Sequence, residues 1–270
     1  MYITYDDFIK KLNSKFVNGQ DFYIELLKTV IDNPTRYTGI FRVSSAKTKL
    51  IQNVTQSHEI KFGDFMEYIV TDYIGLLGYN NLPKNIGKNE KGDKLNTDQL
   101  FTSSDEKTLY LVEQKIRDDH DSTKKRGQFS NFIYKIELLK RQHPNQDLVG
   151  VMWFIDDGLK KNKNYYRSEM DSYMMNYNDI SLKIYYGGEI FDDLFHAQSA
   201  WTEITNYLKQ NKQERSQEQL YIPDFDKSSE ILKALKSLPT KYIKKLKSND
   251  EKYIQLRAEL FPTGINLSQI

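Results

Sequence analysis

The sequence predicts a mixed α/β fold, a central β-sheet flanked by helices, with helical additions at both ends. Three observations carry that expectation. Two strand-length runs, "LNTDQLFTS" (95–103) and "TLYLVEQKI" (108–116), are joined by the short polar turn "SDEK", the pattern of a β-hairpin. An amphipathic helical pattern, "QFSNFIYKIELLKRQ" (128–142), stops before "HPN" and gives way to "DLVGVMWFID" (147–156), an unbroken apolar run of strand length that suits a strand buried on both faces. Finally, "SLKIYYGGEIFDDLF" (181–195) reads as a strand, a Gly-Gly break and the start of a helix that continues to about 211. Strands that alternate with helices after a hairpin point to a mixed sheet.

The flanking elements follow from the same rules. "YDDFIKKLNSKF" (5–16) and "DFYIELLKTVID" (21–32) are helical, separated by "VNGQ", with "NP" stopping the second. Residues 33–62 are rich in Arg, Lys, Thr, Ser, Gln and Asn with little periodicity, so they are expected to be irregular or short-stranded, with donor-rich side chains that suit a polar partner. "GDFMEYIVTDYIGLLGY" (63–79) repeats apolar residues at Phe65, Ile69, Tyr73 and Leu76 or Leu77, a helix closed by Gly78. The next stretch, 80–94, reads as loop, and residues 215–270 as a lysine-rich helical region. The expected organisation is an N-terminal segment, 1–62, belonging to the same domain as a core at 63–212, followed by a C-terminal region at 213–270. No internal repeat is found.

Composition excludes several classes. Of 270 residues, 39% are hydrophobic and 28% charged, which describes a globular chain, and no apolar run approaches the roughly 20 residues that span a bilayer. The start has acids where a signal peptide carries bases. With no cysteine there are no disulfides, thiolate nucleophiles or cysteine zinc sites, in keeping with a cytoplasmic protein. The four histidines, at 58, 120, 143 and 196, are scattered and offer no zinc cluster. Neither a G-x-x-x-x-G-K-[ST] nor a G-x-G-x-x-G motif occurs, so no nucleotide cofactor is expected. The net charge of +2 leaves 39 basic residues nearly balanced by 37 acidic ones, and only local clusters stand out: "STKKRG" (122–127), and "KALKSLPTKYIKKLK" (233–247) with six lysines and no acid.

The chemistry concentrates on the hairpin. Side chains alternate across a strand, so Leu109, Leu111, Glu113 and Lys115 share one face, and Tyr110, Val112, Gln114 and Ile116 the other. Either face is too apolar for a solvated edge, and a buried charge is costly unless it is paired or binds a metal. A surface ion pair, worth at most about 1 kcal/mol, is the bland alternative. The hairpin, however, brings Asp98 beside Glu113. Two carboxylates and a lysine converging at one end of a sheet are what metal-dependent phosphodiester hydrolysis requires: hard oxygen ligands for Mg²⁺, and a cation at Lys115 to orient the attacking water and stabilise the charge that builds on phosphate. Asp105 is the rival acid, although it falls in the hairpin turn, where aspartate is common for structural reasons. "RDDHDSTKKRGQFSN" (117–131) follows directly. Its Arg117, Lys124, Lys125 and Arg126 can meet phosphates or guanine edges, and Gln128 and Asn131 can offer paired donors and acceptors to adenine. The alternative is a solvated loop in which Asp118, Asp119 and Asp121 pair with their own bases. "RYTGIFRVSSAKTKLIQNVTQSHE" (36–59) is a second candidate DNA-facing segment.

Asp98 followed by Glu113-Gln114-Lys115 on a hairpin, then a basic loop and a helix, resembles the PD-(D/E)xK nuclease superfamily, and within it is most similar to type II restriction endonucleases. The resemblance spans about 64–200, with Thr97 where the nominal motif has proline. It implies Asp98 and Glu113 as metal ligands, the Gln114 backbone carbonyl as a further ligand, Lys115 as the catalytic lysine, and Glu67 as the extra acid that such enzymes take from a helix before the hairpin. It further implies a Mg²⁺-dependent, sequence-specific endonuclease of double-stranded DNA, part of a restriction-modification system and acting as a homodimer, with no membrane and no nucleotide cofactor. Two other readings stay open at this point: a structure-specific repair or junction nuclease with the same core, and a non-catalytic DNA-binding protein.

Overall fold

The computed structural model describes all residues except 17–18, 90, 178 and 216–221. Helices α1 (Tyr5–Ser14) and α2 (Gly19–Asp32) are followed by the single turn α3 (Thr35–Thr38) and the long helix α4 (Ala46–Leu76). Then come strands β1 (Asn80–Asn81), β2 (Asn85–Lys88), β3 (Lys94–Asn96), β4 (Gln99–Thr102) and β5 (Thr108–Lys115). Helix α5 (Ser122–Gln142), strand β6 (Asp147–Phe154), helix α6 (Lys163–Met174) and strand β7 (Ile180–Tyr186) alternate before helices α7 (Glu189–Asp193) and α8 (Gln198–Glu214). The chain ends in α9 (Ser229–Ser237), α10 (Thr240–Leu246) and α11 (Glu251–Leu260). It divides into two compact units, Met1–Lys11 with Gly63–Gln213, and Leu12–Phe62 with Glu214–Ile270.

The first unit is built on a five-stranded sheet of order β1-β4-β5-β6-β7. Strands β1, β4 and β5 run antiparallel, whereas β5, β6 and β7 are parallel, with Glu113 opposite Met152 and Lys115 opposite Phe154. This is the mixed α/β architecture expected from the sequence. Both faces are covered. On one, Leu109, Leu111, Leu148, Met152 and Leu182 pack under Phe132, Ile136 and Leu139 of α5 and Tyr166 and Met170 of α6. The approach of α5 is close enough that a Cβ at Gly150 would press on the Ile136, Leu182 and Phe132 side chains, so a glycine suits β6 there. The other face buries Val112, Val151 and Trp153. Trp153 packs edge-on to Phe191 and Trp201 and donates its indole N–H to Gly187 O at 2.9 Å.

The second unit is helical. Leu26, Val30 and Ile31 of α2, Leu50 and Val54 of α4, Ile231 and Leu235 of α9 and Leu256 and Leu260 of α11 share one core. Buried Asp226 organises its C-terminal end, accepting from Thr263 N–H and Oγ1 at 2.6 Å each and from Ile265 N–H at 3.0 Å.

Several expectations are corrected here. Residues 46–62 are not irregular: they form the first half of α4, because Ala46, Leu50 and Val54, four apart, are buried as a narrow stripe among polar neighbours. The stretch 80–94, expected to be loop, contains β1 and β2 and the start of β3. The basic stretch 122–127 is not a loop but the first turns of α5, capped by Asp121 Oδ1, which accepts the Lys124 N–H at 2.8 Å. Helix α6 has no counterpart in the sequence reading. No helix among the described residues is long and apolar enough to cross a membrane.

Candidate active site

The site lies where β4 begins and β5 ends. Asp98 immediately precedes β4, and the antiparallel register that sets Gln99 opposite Val112 places it beside Glu113. Its position is fixed from both sides. Buried Gln99 donates its amide to Glu67 O at 2.7 Å and accepts from Thr71 Oγ1 at 2.7 Å, fastening the start of β4 to α4. Buried Thr97 donates its backbone N–H to Lys84 O at 2.9 Å, a bond that proline could not make. Thr97 at the nominal proline position therefore has a local structural role.

Four charged side chains meet at this point. Asp98 Oδ2 accepts from the Gln114 N–H at 2.7 Å and from Lys115 Nζ at 2.9 Å. Lys115 Nζ also donates to the Gln114 carbonyl at 2.9 Å and stands 3.9 Å from Glu113 Oε2. Glu113 is buried, and its other oxygen accepts from Lys135 Nζ of α5 at 2.6 Å. Burial, reinforced by the Asp98 charge, pushes the Glu113 carboxyl above the usual carboxylate range, against the pull of Lys135 and Lys115. Burial alone would lower Lys115, but Asp98 and Glu113 outweigh it and raise it, so this side chain is a fixed cation rather than a proton acceptor at neutral pH.

Lys135 is the participant that sequence reasoning missed. The signal was present: Lys135 falls on the apolar stripe of Phe132, Ile136 and Leu139 that faces the sheet, where a lysine needs a buried anion. Glu67 is less closely engaged than expected. Its charge helps raise Lys115, but its Oε1 pairs with Lys84 Nζ at 2.7 Å. Asp105 lies in the turn at the opposite end of the hairpin, exposed, accepting from Ser103 Oγ at 2.6 Å and from Lys107 N–H at 3.2 Å.

The residues expected to face DNA are dispersed around the start of α5. At 100° per residue, Lys124, Gln128, Asn131 and Lys135 fall on one stripe of the helix, whereas Arg126 projects from the opposite side. Lys124 and Asn131 are exposed. Lys125 Nζ sits 4.3 Å above the Tyr165 ring, and Gln128 Oε1 accepts from the Tyr166 hydroxyl at 2.9 Å, so both are tied to α6. Exposed Arg117 lies 3.8 Å from Asp119. Asp118 does not pair with these bases. Fully buried, it accepts from Asn162 N–H and Nδ2 at 2.7 and 2.8 Å and from the Tyr186 hydroxyl at 2.8 Å, tying the end of β5 to the start of α6.

Residues 76–212 match the model of the HinfI type II restriction endonuclease family, a little over half of the chain. The chain belongs to that family. It is a site-specific deoxyribonuclease. The HinfI-family match takes in strands β1 to β7 and Asp98, Glu113, Lys115 and Lys135, and leaves Glu67 and the second unit outside. Among curated proteins, the type II restriction enzyme HinfI of Haemophilus influenzae is 23% identical over 222 residues, which cover 72% of this chain and 81% of that enzyme. No solved structure matches.

The donor set fits a hard divalent cation. Asp98 Oδ2 and the Gln114 carbonyl both accept from one cationic centre, the Lys115 ammonium, with Glu113 Oε2 3.9 Å from it, and all three atoms are oxygens. Among the described residues no three acidic or histidine side chains form a metal-binding group, and the oxygens gathered here are two carboxylates and a carbonyl. That number suits Mg²⁺, which keeps water and substrate phosphate for its remaining positions.

Proposed function

We propose that the chain is a PD-(D/E)xK-type enzyme that cuts both strands of duplex DNA at a short specific sequence in a Mg²⁺-dependent reaction, working as a cytoplasmic homodimer in restriction of foreign DNA. The observation that carries this reading is the convergence of Asp98 Oδ2, Glu113 Oε2 and the Gln114 carbonyl on the Lys115 ammonium at an end of the sheet. Asp98, Glu113 and the Gln114 carbonyl would hold the cation, which when bound supplies an acidified water and neutralises charge on the scissile phosphate. Lys115, two residues after Glu113 on the same strand, would place a positive charge beside the attacking oxygen and the phosphate oxygens. Lys135 engages one oxygen of Glu113 and leaves the other facing the site. Two copies would supply one such centre to each strand of a near-palindromic target.

Incubation of the purified chain with plasmid DNA and Mg²⁺ tests the reading. A fixed set of discrete fragments that disappears with EDTA is expected. Nicking confined to branched or damaged DNA, or binding without any cutting in Mg²⁺, would contradict it.

A further inference from the structure

The second unit carries a feature that the cleavage site does not use. From Asn33 to His58 the sequence has no acidic residue, and it contains Arg36, Arg42, Lys47 and Lys49. Within this stretch a tight turn, closed by the Arg42 N–H donating to Gly39 O at 2.8 Å, sets Ile40 and Phe41 at its two central positions. Such positions ordinarily take Pro, Gly, Asn or Asp. Here Ile40, Phe41 and the following Val43 are 83%, 92% and 107% exposed. Adjacent large apolar side chains held in water mark a binding surface.

The turn has a firm base. Tyr37 is fully buried and accepts from Asn53 Nδ2 at 2.5 Å. The Gly39 N–H closes on Thr35 O at 3.1 Å, and a Cβ at Gly39 would stand 2.6 Å from that same oxygen. On the far side, the Ala46 N–H donates to Glu259 Oε2 at 2.9 Å. The apolar tip is thus presented by α3 and the start of α4, with exposed Arg36, Arg42 and Lys47 within seven residues of it along the chain.

A partner for this surface must offer dense negative charge beside apolar faces. Duplex DNA does both, with phosphates lining a groove whose floor is made of base edges and stacked steps. A second copy docked through this turn would instead set like charges against each other across a two-fold contact. We propose that residues 39–43 form a second DNA-contacting element, in which Ile40 and Phe41 enter a groove while Arg36, Arg42 and Lys47 hold the flanking phosphates. The proposal rests on the reading that the chain acts on duplex DNA.

Binding of the full chain to labelled linear plasmid DNA in Ca²⁺, followed across a salt series, tests it. An Ile40→Ser/Phe41→Ser variant should bind about tenfold more weakly with an unchanged salt slope, because apolar contacts are lost and no phosphate contact is. Arg36→Ala/Arg42→Ala should instead flatten the slope by about 0.9 per contact. Phe41→Trp should retain binding and change its emission relative to the parent protein when DNA saturates it. Parent-like binding by the serine variant, or emission from the Phe41→Trp variant that responds to DNA no differently from the parent's, would overturn the proposal while leaving the nuclease reading intact. Loss of a dimer in the serine variant would assign the surface to self-association and overturn it too. A parent chain that does not bind DNA at all would sink the nuclease reading itself.

Discussion

Glu113 and Lys135 form a buried ion pair whose partners depend on each other. Removing one charge leaves the other desolvated, whereas removing both leaves two neutral groups of similar shape. Lys135→Met should therefore destabilise the protein by about 3–5 kcal/mol in urea unfolding, and adding Glu113→Gln should recover most of that loss. Additive losses would show that the pair is not coupled. The same argument gives Lys135 a role in the site without contact with substrate. It fixes which oxygen of Glu113 faces the site, so Lys135→Arg, which keeps the charge, should retain measurable cleavage where Lys135→Met does not. Glu113 itself was legible as a strand residue on an apolar face; its partner was hidden because a lysine in an amphipathic pattern is ordinarily assigned to the solvent side.

Helix α5 sorts the candidate DNA contacts by its periodicity. Lys124 and Asn131 share the stripe that leads to Lys135 and are exposed, while Arg126 points the other way and donates its Nε–H to Ser122 O at 3.1 Å. Lys124→Ala should weaken DNA binding and lower its salt slope by about one ion, Asn131→Ala should cost roughly 1–3 kcal/mol of sequence discrimination, and Arg126→Ala should change neither. Equal effects at all three positions would mean that DNA does not approach along this stripe. The elements themselves were unevenly legible. The hairpin, β6 and β7 could be read because their apolar runs are continuous. The first half of α4 and the whole of α6 were not, because each buries about one side chain per turn: Ala46, Leu50 and Val54 in one, Tyr166 and Met170 in the other. Such narrow stripes do not stand out from lysine, threonine and tyrosine neighbours.

At the scale of the molecule, the two units differ in what they contribute. The first holds the Asp98, Glu113, Lys115 and Lys135 constellation and all of the family match. The second depends on groups such as Asp226, which burial alone would push up but which the Thr263, Gly264 and Ile265 donors hold below the usual carboxylate range. A depressed folded-state pKa contributes stability that is present above the unfolded value of about 3.9 and lost as pH falls through the folded one. Asp226→Asn should therefore lower the Tm at neutral pH and reduce the loss of Tm between neutral and strongly acidic pH. An unchanged pH profile would remove Asp226 from the acid response. The hairpin geometry was legible in the sequence, since one register decides that Asp98 and not Asp105 stands by Glu113. The sharing of one core by α2, the start of α4 and the C-terminal helices was not, because the contacts to the C-terminal helices join residues some 200 positions away, such as the Tyr253 hydroxyl donating to Ile31 O.

The most direct test of the active-site assignment is plasmid cleavage in Mg²⁺ by Asp98→Ala, Lys115→Ala and Asp105→Ala side by side, with DNA binding in Ca²⁺ as the control for folding. Asp98→Ala and Lys115→Ala should bind DNA and lose cleavage by at least about a hundredfold, because each removes charge at the reacting phosphate, while Asp105→Ala should cut like the parent. Full activity in the Lys115 variant, or loss in Asp105→Ala with retention in Asp98→Ala, would contradict that assignment.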